Sequence, residues 1–129
     1  MKIRCLCDNI IYDQREDLPY KAEYIPDQDY EADKGTTIRF LAEMIRSWAA
    51  GEWEKFLDTH FSVKYPHDLP IDSIVSDFLT RQEILFRHNM YECDTCGRLW
   101  LQTHPDKDEY VSYLPETEER GLLRGRLSR

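Results

Sequence analysis

The sequence contains no long apolar run and none of the common signatures of a nucleotide site or a serine hydrolase. A membrane-spanning helix needs roughly 18 to 20 apolar residues, and no stretch approaches that length. The five glycines are scattered, so they form neither a G-x-G-x-x-G turn nor a phosphate-binding P-loop. A G-x-S-x-G nucleophile turn is missing as well. These absences argue against membrane-spanning proteins and against the best-known phosphate-binding and acyl-transfer classes.

Basic residues are in the minority, with 17 Lys and Arg against 25 Asp and Glu. The formal charge of −8 argues against a nucleic-acid-binding protein, which usually presents a basic surface to phosphates. The first residues show no basic, apolar and small-residue succession of a signal peptide. We therefore expect a cytoplasmic protein, whose thiols stay reduced.

Cysteine is scarce, and its four copies occupy only two places. The first pair lies in "KIRCLCDNIIYD" and the second in "YECDTCGRLWLQ". In a reducing compartment, paired cysteines indicate metal or redox chemistry more often than disulfides. Four thiolates satisfy tetrahedral Zn²⁺ completely, and two turns that each give two sulfurs can close such a site. The prediction is a structural zinc ion bound by four ligands, namely Cys5, Cys7, Cys93 and Cys96.

The second pair forms a C-x-x-C-G turn between two strand-like runs, and here the sequence resembles the zinc-ribbon group. The resemblance covers about residues 3–12 and 90–114 and implies that each cysteine pair lies at the tip of a hairpin. The first pair departs from that pattern because Cys5 and Cys7 have a single spacer. In an extended strand both side chains point to one face, so the chain must bend at Asp8-Asn9 to bring both sulfurs to one ion.

Other assignments of the cysteines stay open at this point. A histidine can replace one cysteine ligand, and the four candidates are His60, His67, His88 and His104. Rubredoxin-like iron usually has two C-x-x-C knuckles. A thioredoxin-like dithiol should open a helix, whereas a strand follows Cys96. Buried cysteines without a metal are the remaining alternative.

The pattern of elements predicts a single α+β domain over residues 1–129. Strand-like runs near both ends form an antiparallel, zinc-ribbon-like sheet, and a bundle of about three helices is inserted between them. The predicted segments are the first knuckle with an acidic strand segment (1–34), the helical insert (35–88), the second knuckle with its strands (89–115) and a basic tail (116–129). The first helix begins near Gly35 with a threonine cap.

The predicted buried faces follow from helical periodicity. In the first helix the inward residues are Ile38, Leu41, Ile45 and Trp48. In the third helix, from about Ile71 to Arg87, they are Ile71, Ile74, Val75, Phe78, Leu79 and Leu85. Both faces are expected to pack in the core of the helical insert.

The leading functional hypothesis is a non-enzymatic, zinc-stabilised domain that binds a basic protein. Four thiolates leave no open coordination position, so the metal site is not catalytic. Residues 13 to 33 hold eight acidic and two basic residues together with several tyrosines, which suits a basic partner. The predicted contact residues are Tyr24, Asp27, Asp29, Tyr30, Glu31 and Asp33. In size and charge the chain resembles the small acidic immunity proteins that neutralise bacterial nuclease toxins.

Two other function classes are carried as alternatives. The first is a nucleic-acid-binding zinc ribbon whose arginine-rich tail, Arg120–Arg129, contacts phosphates. The second is an enzyme that uses His60, His67 or His88 with a carboxylate. The sequence leaves the identity of the partner and the oligomeric state open.

Overall fold

The computed structural model describes residues 1–128, and its fold is α+β. The chain folds into two compact units. The sheet unit combines the residues before Pro26 with those from Arg87 onward, and the helical unit spans Pro26–Phe86. The predicted fold class, with strands at both ends and helices between them, is confirmed.

The sheet unit contains two antiparallel sheets. Its strands are β1 (Lys2–Arg4), β2 (Ile10–Tyr12), β3 (Lys21–Tyr24), β4 (His88–Glu92), β5 (Leu99–Gln102) and β6 (Tyr110–Tyr113). The first sheet is the β1–β2 hairpin, in which Ile3 is opposite Ile11. The second sheet has the order β3-β4-β5-β6, so an N-terminal strand pairs with the C-terminal strands. A short 3₁₀ helix, Arg126–Ser128, follows.

The core of the sheet unit contains two of the four cysteines. Its buried residues are Ile3, Cys5, Ile11, Tyr91 and Cys93. The hydroxyl of Tyr91 donates a hydrogen bond to Asp13, which also forms an ion pair with Lys21 at 2.7 Å. Burial alone would raise the pKa of Asp13, but the hydrogen bonds from Lys21 and Tyr91 lower it below its usual value.

The helical unit consists of α1 (Asp27–Ala49), α2 (Trp53–His60) and α3 (Ile71–Phe86). Its buried core is aromatic and aliphatic, with Phe40, Phe56, Leu57, Ile74 and Phe78. The rings of Phe40 and Phe78 stack with centroids 3.9 Å apart, which joins α1 to α3. Across residues 1–128, no helix combines the length and apolar composition that a membrane span requires.

The start of the first helix differs from the prediction. Helix α1 begins at Asp27, so the last residues of the predicted acidic strand segment (1–34) are helical. The predicted insert (35–88) therefore starts inside a helix and not at the beginning of one. Pro26 stands at the N-cap, and two aspartates lie in the first turn, where the helix dipole favours negative charge. Thr37 is not a cap; its hydroxyl donates to the carbonyl of Asp33 within the helix.

The predicted buried faces are wrong in part. In α1 the side chains of Ile38, Ile45 and Trp48 are 56%, 66% and 63% exposed, and Phe40 is buried instead. In α3, Ile74 and Phe78 are buried as predicted. The prediction fails for three further residues of α3, because Ile71, Leu79 and Leu85 are exposed. Apolar residues occupy more than one stripe of each helix, so periodicity alone does not select the face that packs.

The remaining segment predictions stand as follows. Strands β4, β5 and β6 follow one another between His88 and Tyr113, so the first of them begins one residue before the predicted range 89–115. The single-domain organisation stays a prediction. Within the predicted basic tail, Arg129 lies outside the described residues.

Candidate metal centre

The first cysteine pair lies on a tight turn between β1 and β2. The amide of Cys5 donates to the carbonyl of Asn9 at 2.8 Å, and the amide of Asp8 donates to the carbonyl of Cys5 at 2.9 Å. Asp8 has a φ of 73°, a left-handed conformation that aspartate tolerates better than most residues. The bend expected at Asp8-Asn9 is therefore present, and it lets Cys5 and Cys7 face the same point.

The second cysteine pair lies on the turn between β4 and β5. The amide of Cys93 donates to the carbonyl of Arg98 at 2.8 Å, and the amide of Gly97 donates to the carbonyl of Cys93 at 2.8 Å. Gly97 has a φ of 77°, which a residue with a side chain rarely adopts. The C-x-x-C-G spacing therefore gives a closed turn with Cys93 and Cys96 on one side.

The two turns bring all four cysteine sulfurs together, within 4.8 Å of one another. The Sγ atoms of Cys5 and Cys96 are 3.4 Å apart, and those of Cys7 and Cys93 are 3.6 Å apart. Cys5 and Cys93 are buried, while Cys7 and Cys96 are half-buried. None of the four is in a disulfide. This cluster can hold a metal ion.

Two side chains donate hydrogen bonds to the sulfurs, and sequence reasoning gave neither of them this role. The Asn9 amide nitrogen lies 3.5 Å from the Cys93 sulfur, and Nη1 of Arg98 lies 3.6 Å from the Cys96 sulfur. Both donors directly follow a cysteine turn in the sequence, and this proximity could have indicated that they hydrogen-bond to the sulfurs. Hydrogen bonds to thiolates stabilise the ionised form and orient metal ligands.

The thiols have unequal pKa values. Burial opposes ionisation of Cys96, but hydrogen bonds, first from the backbone of Arg98, lower its pKa to about 6. Burial likewise opposes ionisation of Cys93, yet backbone and Asn9 hydrogen bonds lower its pKa. A backbone hydrogen bond at Asn9 favours the Cys7 thiolate, but burial and the neighbouring cysteines raise its pKa to about 12. Four thiolates this close repel one another, and a divalent cation among them removes that repulsion.

The cluster contains no histidine among the described residues. His88 is buried, stacks on Tyr24 and lies 3.1 Å through Nδ1 from the carbonyl of Gln102. His60 and His67 pair instead with carboxylates of their own unit, Glu43 at 2.7 Å and Asp58 at 2.8 Å. His104 is exposed in the turn after β5. The three-cysteine, one-histidine alternative has no support in this geometry.

The predicted partner-binding residues are divided between the two units. In the sheet unit, Tyr24 lies on β3 and donates its hydroxyl hydrogen to the carbonyl of Gln102 at 2.6 Å. In the helical unit, the first two turns of α1 carry five of them: Asp27, Asp29, Tyr30, Glu31 and Asp33. Of these, Asp27, Tyr30 and Glu31 are exposed and Asp29 is half-buried.

Asp33 is the exception within this acidic helix start. Only 7% of it is exposed, and the side-chain amide of Gln82 donates to it at 3.2 Å inside the helical unit. A buried carboxylate that is hydrogen-bonded in its own unit is not available to a partner. The prediction that Asp33 belongs to the binding surface is therefore wrong.

The fold and the cluster define the class: an α+β protein in which two hairpin turns assemble a four-cysteine, metal-competent centre. Residues 1–117 match the family described as Domain of unknown function (DUF8617), and the chain belongs to that family. No curated protein and no solved structure matches the chain.

Proposed function

We propose that Cys5, Cys7, Cys93 and Cys96 bind one structural Zn²⁺. The observation that carries this proposal is the convergence of four sulfurs, two of them buried, from turns at opposite ends of the chain. Tetrahedral Zn²⁺ with Zn–S bonds of about 2.3 Å separates its sulfurs by about 3.8 Å. The two short S–S separations, 3.4 and 3.6 Å, need only a small expansion to accept the ion.

The donor set also supports a structural role for the ion. Soft thiolates favour zinc over calcium or magnesium, and four of them leave no position for water or substrate. The ion would fasten the β1–β2 hairpin to the β4–β5 turn, as zinc-ribbon knuckles do. In this proposal the protein works in a reducing, cytoplasmic setting and the metal centre performs no catalysis.

The function that we propose for the whole chain is the binding of a basic protein, as an inhibitor or immunity protein does. The supporting feature is the start of α1, where Asp27 and Glu31 are exposed beside Tyr30, itself 46% exposed. An aromatic side chain among acids suits a lysine- or arginine-rich partner, because it adds apolar contact to charge attraction. Asp29 completes this acidic patch.

The binding proposal is tested by neutralising the acidic patch without changing its shape. The variant carries Asp27→Asn, Asp29→Asn and Glu31→Gln. The matched control removes the same charge elsewhere through Glu116→Gln, Glu118→Gln and Glu119→Gln. Partners recovered with the tagged wild-type chain are identified and then titrated by calorimetry against both variants.

The patch variant should bind at least tenfold more weakly than the control at low salt, and the difference should shrink at high salt because screening weakens charge attraction. Circular dichroism verifies that α1 stays folded. Equal affinities for the patch and control variants, or the absence of any basic partner, would refute this function.

A further inference from the structure

The C-terminal segment 120–125, here named the strap, is anchored by a buried carboxylate of the sheet unit. Glu92 is only 5% exposed, and its two oxygens accept hydrogen bonds from the backbone amides of Gly121 at 2.6 Å and Leu122 at 3.0 Å. Gly121 has a φ of 73°, which turns both amides toward the carboxylate. Charge-assisted bonds of this kind are stronger than ordinary backbone bonds.

A second contact places the strap on the cysteine turn itself. The Arg120 guanidinium lies so close to Gly97 that a Cβ added there would stand 2.5 Å from Nη1 and 2.7 Å from Cζ. Gly97 ends the C-x-x-C-G turn, so the absence of a side chain makes room for Arg120. The strap therefore rests on the backbone that holds Cys93 and Cys96.

Both anchors depend on the shape of the second cysteine turn. Glu92 directly precedes Cys93, and its own amide donates to the carbonyl of Tyr20 at 2.9 Å. A bound ion would fix Cys93 and Cys96, and with them the positions of Glu92 and Gly97. The ion would add to the backbone hydrogen bonds that close this turn, so its loss would loosen the surface on which the strap docks.

We propose that strap docking and metal binding are thermodynamically linked, so that loss of the ion releases the strap and frees its arginines. This inference rests on the proposed metal centre and adds a metal-dependent switch to it. Linkage is reciprocal: an ion that favours the docked strap is itself bound more tightly when the strap is docked. The basic tail is then not a permanently free arm, because Glu92 and Gly97 hold the backbone and guanidinium of its strap residues while the ion is bound.

The test measures strap release directly in the full-length protein. Glu92→Gln keeps the shape of the side chain and removes its charge, and Glu118→Gln in the exposed segment before the strap is the matched control. Hydrogen exchange of the amides of Gly121 and Leu122 is measured with zinc bound and after chelation. Trypsin cleavage after Arg120 gives an independent readout, and amides of β5 report on the sheet.

With zinc bound, the strap amides of Glu92→Gln should exchange about ten- to a hundredfold faster than those of the control, since a charged hydrogen-bond acceptor is lost. The β5 amides should stay protected. Chelation should deprotect the wild-type strap before the β5 amides and remove the difference between the two variants. Competition with a metal chelator should show weaker zinc binding by Glu92→Gln.

Three outcomes would overturn the linkage: equal strap exchange in zinc-loaded Glu92→Gln and control, a strap that stays protected after chelation, or strap and β5 amides that open together. Elemental analysis of the same sample separates this failure from that of the metal proposal. A zinc-containing protein with an unlinked strap refutes only the switch. A folded protein that never binds zinc refutes the metal centre, and the switch with it.

Discussion

Replacing Cys93 with serine removes one thiolate from the proposed zinc site. Cys93 is fully buried, its sulfur lies 3.6 Å from that of Cys7, and the Asn9 amide donates to it. A serine hydroxyl is slightly smaller than the thiol but stays protonated at neutral pH, so it does not replace a thiolate ligand. The expected result is weaker metal binding and a less stable sheet unit.

The size of this effect follows from the four-sulfur donor set. Structural zinc sites bind with about 10 to 16 kcal/mol at pH 7, so an equal share for each of four ligands is about 2.5 to 4 kcal/mol. At about 1.4 kcal/mol per decade, zinc affinity should fall by roughly two to three orders of magnitude. When free zinc exceeds the dissociation constants of both proteins, the free energy of unfolding should fall by about the same 2.5 to 4 kcal/mol.

The assay is a competition titration with a chromophoric chelator, followed by urea unfolding at fixed free zinc. Thr95→Ala is the matched control, because Thr95 is exposed in the same turn and its hydroxyl has only a 3.5 Å contact with Asp94. This control should bind zinc within about threefold of the wild type. Wild-type affinity in Cys93→Ser, or an equal loss in Thr95→Ala, would refute a four-thiolate site.

Three further predictions concern packing and ionisation. Phe78→Ala should destabilise the helical unit by about 3 to 5 kcal/mol in urea unfolding because Phe78 is buried, whereas Leu79→Ala, 42% exposed, should cost less than about 1 kcal/mol. Asp58→Asn should lower the pKa of His67 in an NMR titration, because the Asp58 hydrogen bond raises that pKa. A raised pKa in the folded state stabilises the wild type below the unfolded pKa of about 6.5. The difference in unfolding free energy between wild type and Asp58→Asn should therefore vanish as the pH rises through the folded pKa of His67. The pKa of Asp13 is lowered in the folded protein, so the ionised carboxylate stabilises the fold fully above its unfolded pKa of about 4 and loses this effect as the pH falls. The unfolding free energies of wild type and Asp13→Asn should therefore converge toward about pH 2. Unchanged pKa values, constant stability differences or equal losses for the two alanine variants would contradict these expectations.

The cysteine turns and strands could be predicted because their signals are local. The C-x-x-C-G spacing, the Asp8-Asn9 bend and the short apolar runs each depend on neighbouring residues. The pairing of the N-terminal and C-terminal strands followed from placing all four cysteines at one centre. That single long-range assumption predicted one sheet built from both ends of the chain. The structure has two sheets instead: the β1–β2 hairpin forms a sheet of its own, and β3 is the N-terminal strand that pairs with the C-terminal strands.

The start of α1 was missed because two local signals compete. Gly35 and Thr36-Thr37 are typical of a helix start, and the predicted helix therefore begins there. A proline followed by aspartates, as at Pro26, is also typical of a helix start, and α1 begins directly after this proline. Gly35 lies inside the helix, where glycine costs about 1 kcal/mol relative to alanine and is tolerated.

The buried polar residues could not be predicted because their partners are distant in sequence. Asp33 meets Gln82 across 49 positions, and Glu92 meets Gly121 across 29. A carboxylate within an acidic stretch is predicted to lie on the surface, because burial without hydrogen-bond partners is costly. Only tertiary structure shows where such a group finds its donors.

The most direct test of the central claim is native mass spectrometry of the purified chain, combined with elemental analysis and thiol alkylation. The four-sulfur account predicts one zinc ion per chain and no alkylation of any cysteine until the metal is removed. A folded chain that contains no metal, or one whose cysteines are modified freely while zinc is bound, would contradict it.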